Sequence, residues 1–244
     1  MIEPARELRG FFTAALVTPV PRDHSETPEQ LVQRRWVCAV TLAVGSFMMA
    51  WTLRTVRVSP ADPVIYAATL ALGTTWVVGT LLSGKVYLGG GNRRNGGDGS
   101  RAIAQSFLLG IALTAVFLAG AAVVAIVPAL RDPMLGLLGD VQLGILPVVI
   151  VLFVLNAVAE ELFFRGGLYA AIGGKHEVLI TTFVYALSTV PTGIPVLVLG
   201  SAALGAAVGF QRRVTGGVLG PIITHLTWLA GMMLLLPQVL TAWN

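Results

Sequence analysis

Apolar runs of membrane length alternate with short polar connections along almost the whole chain. Seven such runs stand out, at residues 36–53, 64–83, 102–129, 141–164, 177–192, 194–211 and 216–237. A helix of about 20 apolar residues crosses the hydrocarbon core of a bilayer. Only Pro191, Thr192 and Gly193 separate the fifth run from the sixth, so these two form either a tight hairpin or a broken, re-entrant pair. Glycines in 200-GSAALGAAVG-209 and 216-GGVLG-220 allow helices to approach closely. The pattern predicts an all-α fold, a polytopic membrane helix bundle with about seven transmembrane helices. A shorter apolar stretch, 8-LRGFFTAALVTPVP-21, is flanked by arginines and reads as a segment lying on one leaflet. The expected division is therefore an N-terminal cytoplasmic or interfacial segment, residues 1–35, and a membrane domain, residues 36–244.

Composition supports a lipid environment. The 244 residues are 55% hydrophobic and 11% charged, where soluble domains carry about 25% charged residues. The net charge of +4 invites a nucleic-acid reading, but the distribution of Lys and Arg explains it otherwise. Arg54, Arg57 and Arg131 are the only three of the sixteen basic residues that fall on one side of the predicted bundle. The rest, including Arg34, Arg35, Lys85, Arg165, Lys175, Arg212 and Arg213, fall on the other. Cytoplasmic loops hold the excess of Lys and Arg, so the N-terminus is expected in the cytoplasm and no nucleic-acid partner is needed. No cleavable signal peptide is expected at the N-terminus. The single Cys38 permits no internal disulfide. The glycine-rich 89-GGGNRRNGGDGS-100 lacks the Lys-Ser/Thr ending of a phosphate-binding loop and reads as a linker.

Two adjacent glutamates then become conspicuous. Glu160 and Glu161 are the acidic pair that falls within a predicted span, and a charge at mid-bilayer costs about 2.5–3.5 kcal/mol on insertion scales. Residues four apart share a helix face, and a glutamate N-terminal to its cation is the better order. Glu161 and Arg165 satisfy both conditions and are expected to pair. Adjacent residues point about 100° apart, so Glu160 is expected to face elsewhere, available as a general base for water. The competing reading is a structural charge cluster at the membrane interface. A lone histidine on an apolar face is more often a hydrogen-bonded packing residue, but His225, near the middle of the last run, is the one histidine predicted inside the bilayer, which strengthens the case for a functional role. His24 and His176 fall in solvated segments.

The segment 160-EELFFR-165, followed by a late membrane histidine, resembles the CPBP family, the CAAX-protease and bacteriocin-processing (Abi) intramembrane proteases. The resemblance covers about residues 102–237. The family's EE-x-x-x-R motif is matched in full. Its F-x-x-x-H motif has 183-FVYAL-187 as nearest candidate, with Phe183 present and Leu187 in place of histidine. Its H-x-x-x-N motif has 225-HLTWL-229, with His225 present and Leu229 in place of asparagine.

The resemblance implies an endopeptidase that cleaves a membrane-associated protein or peptide. It implies that Glu160 activates water, that Glu161 and Arg165 shape the site, and that His225 assists. Ser188, Thr189, Thr224 and Asn156 are candidate substitutes for the two missing hydrogen-bonding residues. No cofactor is expected: the family's naming suggests zinc, but a catalytic zinc uses three protein ligands, and only Glu160 and His225 are evident. The alternative is a catalytically inactive pseudoprotease that keeps the fold as a membrane scaffold or partner-binding subunit. A proton-coupled transporter using Glu160 and His225 is weaker, because no matching pair of interrupted helices is seen. The expected partners are the lipid bilayer and a membrane-bound protein or peptide, and the expected location is the plasma membrane of a prokaryote.

Overall fold

The computed structural model describes residues 4–20, 26–58, 62–91, 102–142 and 145–242. His24 and residues 92–101, most of the glycine-rich stretch, lie outside the described residues. The described chain is helical, with α1 at Pro4–Leu16, α2 at Pro28–Val58, α3 at Val64–Ser83, α4 at Ile103–Ala125 and α5 at Pro128–Gln142. Helix α6 at Leu146–Glu161 continues through a π-helical segment, Leu162–Leu168, into the short α7 at Tyr169–Ile172. Helix α8 at Glu177–Ser188 ends in a 3₁₀ turn at Val190–Thr192, followed by α9 at Pro195–Thr215 and α10 at Leu219–Thr241. Six of these segments are long and apolar enough to cross a membrane, and the protein is a polytopic membrane helix bundle.

The departures from the expected spans have local causes. The run at 102–129 is not one helix. It ends at Ala125, and Pro128 opens the separate helix α5. Proline lacks the N–H that would extend the ladder and disfavours helical geometry in the residue before it. The run at 177–192 falls short of a full span: α8 has 12 residues, and Pro191 has no N–H to continue it. The Pro-Thr-Gly separation forms a hairpin, with Gly193 at φ 66° turning the chain and α8 packed against α9. At the N-terminus, α2 begins eight residues earlier than the expected start at 36. The leaflet segment becomes α1, which packs against α9 and α4 and buries Ala15.

Backbone contacts define the two ends of the bundle. At one end, Val20 and Gly90 donate to Val214 O and Thr215 O, while Val218 and Leu219 donate to Tyr87 O and Leu88 O. Gly89 and Gly217 meet there back to back, where a Cβ on either would collide with the other's backbone. At the opposite end, Ala125, Met134, Ile194 and Leu240 pack together. The short α8 and its turn therefore run from one end to the other as a seventh, abbreviated traverse.

The interior core packs Trp76 of α3 on Phe163, with stacked rings 4.7 Å apart, and Phe163 edge-on to Phe164. Trp76 is fully buried and seats against Gly45 of α2, where a Cβ would strike the indole. Large apolar side chains such as Trp36, Phe47 and Leu199 are instead exposed on the outside, as expected of a surface solvated by lipid rather than water.

Candidate active site

The centre of the bundle holds a connected polar cluster supplied by α6, the π segment, α8, α9 and α10. Glu161 ends α6 and Arg165 lies in the π segment, both fully buried. Arg165 Nη1 donates to Glu161 Oε1 at 3.1 Å, so the expected ion pair is present. His225 of α10, also buried, places Nδ1 2.8 Å from the same Oε1. An oxygen that already accepts from a guanidinium acts as a carboxylate acceptor, so Nδ1 carries the hydrogen. The hydrogen bond at one ring nitrogen sets the role of the other, and Nε2 is the ring nitrogen that Glu161 does not engage.

Glu160 differs from its expected freedom. It is half-buried and faces α8, where Tyr185 donates its hydroxyl to Oε2 at 2.8 Å. The Tyr185 ring lies against Arg165, whose guanidinium carbon is 4.7 Å from the ring centroid, and edge-on to Phe164 at 4.9 Å. Such a cation over an aromatic face is attractive, more so away from water. Arg165 Nη2 also donates to Gly205 O of α9 at 3.2 Å. The four residues singled out from the sequence, Glu160, Glu161, Arg165 and His225, thus lie in one cluster with Tyr185.

The π segment shapes this arrangement. The Tyr169 N–H, which in an unbroken α-helix would bond Arg165 O, reaches back five residues to Phe164 O. Arg165 O is met instead by Arg212 Nε at 2.6 Å. Arg212, placed in a cytoplasmic connection by the sequence pattern, is buried in the last turn of α9, with its guanidinium 4.9 Å from the Tyr169 ring centroid. Neither Tyr185 nor Arg212 was marked by any motif. A tyrosine within an apolar run and an arginine just past the end of another were the only signals available.

The two substituted motif positions contribute no donor. Leu187 is 54% exposed and Phe183 65% exposed, so that face of α8 points out of the bundle. Leu229 is half-buried and carries no polar atom. The candidate substitutes are engaged elsewhere: Ser188 with Tyr185 O, Thr189 with Ala186 O and Ser201, Thr224 with Ser106 O, and Asn156 with Thr69 O and Leu152 O. Among the described residues, no three His, Cys, Asp or Glu side chains are grouped to hold a metal ion. Glu160 is committed to Tyr185, and His225 and Arg165 share Glu161.

Residues 142–230 match the Rce1-like family model, type II CAAX prenyl endopeptidase. This Rce1-like segment runs from the end of α5 into α10 and contains every side chain of the polar cluster. The family is one of membrane proteases, and the resemblance carried by 160-EELFFR-165 falls inside the matched region. Among curated proteins and among solved structures, none matches the chain. Helices α1 to α4 lie outside the Rce1-like segment, although Phe117 of α4 packs edge-on to Trp228 of α10 at 5.1 Å.

Proposed function

We propose that the protein is a CAAX-type intramembrane endopeptidase that cleaves a membrane-associated protein or peptide with a glutamate-activated water. The observation that carries this reading is the convergence of Glu160, the Glu161–Arg165 pair and His225 in one connected cluster inside the Rce1-like segment. Tyr185 occupies Glu160 Oε2, so Oε1 is the oxygen that takes a proton from water. The resulting hydroxide adds to the scissile carbonyl. Collapse of the tetrahedral intermediate breaks the C–N bond, and the proton held by Glu160 passes to the leaving amine. His225, held by Glu161 through Nδ1, presents Nε2 to the same water. The protein acts in the plasma membrane of a prokaryote with its N-terminus in the cytoplasm.

The test is cleavage of a fluorogenic peptide ending in a farnesylated CAAX sequence by the full chain in proteoliposomes. Glu160→Gln keeps the side chain's size but cannot accept the water's proton. General-base catalysis contributes about 10²–10⁴-fold, so kcat is expected to fall by that much. Cleavage that survives the substitution overturns the mechanism.

A second reading draws on the outward-facing Leu187 and the apolar Leu229, which supply no oxyanion donor. In that reading the protein is a pseudoprotease that binds a membrane partner. It requires that wild type cleave nothing and that Glu160→Gln leave partner capture intact.

A further inference from the structure

We propose that Tyr185 is a positioning residue for the proteolytic site, fixing Glu160 so that only Oε1 faces the reacting water. The inference rests on the endopeptidase reading and assigns a role to a residue that no family motif marks.

The geometry is specific. A glutamate side chain turns about three single bonds, so a general base on it is mobile unless a second group holds it. The Tyr185 hydroxyl is that group, at 2.8 Å from Oε2, a normal length for an O–H donor. The phenol donates and Oε2 accepts. The ring itself carries the Arg165 guanidinium over its face and meets Phe164 in a T-shaped pair. Gly205 on α9 permits this close packing. A Cβ there would stand 3.2 Å from Tyr185 Cδ1 and 3.4 Å from Arg165 Nη2.

Tyr185 also links the two carboxylates. Its hydroxyl holds Glu160 while its face carries the cation that neutralises Glu161. One side chain of α8 thereby ties the base to the Glu161–His225 pair. The register explains why it falls to this residue: Leu187, two positions on, faces out of the bundle, whereas Tyr185 is buried. Helix α8 contributes to the site through a phenol at the position that its inward face makes available.

The experiment uses the full chain in proteoliposomes and reads two signals from Tyr185→Phe. This variant keeps the ring, its Phe164 contact and its Arg165 contact, and removes only the hydroxyl. The first signal is the infrared carboxylate stretch of Glu160, assigned as the band lost in Glu160→Gln and recorded on the monodisperse fraction. It is expected to shift in Tyr185→Phe. The second is steady-state cleavage of the farnesylated CAAX peptide. A misplaced catalytic group costs up to about 10²-fold in rate, so kcat is expected to fall on the order of 10- to 100-fold with KM unchanged. A purely structural role would leave the Glu160 band where it is, and an unshifted band overturns the proposal. A shifted band with unchanged kcat, in an enzyme that Glu160→Gln inactivates, also overturns it while sparing the endopeptidase reading. If wild type does not cleave the peptide, the endopeptidase reading fails for a prenylated CAAX substrate, and the Glu160 band alone then decides whether Tyr185 holds the carboxylate.

Discussion

Arg165 is the residue on which the cluster turns. It donates to Glu161, donates to Gly205 O, and stacks on Tyr185, all while fully buried. Arg165→Ala leaves the buried Glu161 carboxylate with His225 as its remaining partner, and breaking a buried pair costs about 3–5 kcal/mol. The expected result is a large drop in thermal stability of the detergent-solubilised protein. A variant as stable as wild type would show that Glu161 is neutralised without its partner. This ion pair was legible in the sequence because its geometry is local: four residues along one helix fix which side chains meet. Tyr185 was not legible. Lipid solvates the outer face of α8 and the bundle solvates the inner face, and both are apolar, so no polarity contrast along 177–192 marks the inward side. The motif spacing pointed to Leu187, and the packing of α8 on α9 chose Tyr185 instead.

At the scale of elements, the π segment and Arg212 form a single unit. The widened turn moves the Tyr169 N–H off Arg165 O, and Arg212 supplies the replacement donor. A hydrogen bond to a charged group contributes about 1.5–3 kcal/mol, and guanidinium geometry is not reproduced by an ammonium. Both Arg212→Leu and Arg212→Lys are therefore expected to destabilise the protein by about 2 kcal/mol. Cleavage should fall with them, because the turn that they loosen carries Arg165. A lysine variant equal to wild type would mean that charge alone suffices. The long spans at 64–83 and 216–237 were readable from apolar length. The π segment was not, because its sequence Leu162–Leu168 has no helix breaker other than two glycines, and the partner that stabilises it lies 47 residues away. The division between α4 and α5 had a visible signal in Pro128, overridden by the apolar residues around it.

For the whole molecule, the end-to-end geometry gives the orientation a direct test. Lys175 and Asp62 are exposed in connections at opposite ends of the bundle. In a Cys38→Ala background, Lys175→Cys is expected to react with a membrane-impermeant maleimide only from the cytoplasmic side, and Asp62→Cys only from outside. The reverse labelling would invert the proposed topology. The ion pair between Glu161 and Arg165 also bears on the order in which the chain is made. Both partners sit in one segment, so the carboxylate leaves the ribosome already matched to its neutralising cation, before any other part of the cluster exists. Tyr185 follows Glu160 by 25 residues and His225 follows Glu161 by 64. Centre-of-helix charges cost about 2.5–3.5 kcal/mol each at the translocon, so pairing within the segment leaves Glu160 as the one acidic group that enters the bilayer without its later partner. The cluster is complete only when the final helix arrives, so under the proposed reading a chain truncated before α10 is expected not to cleave.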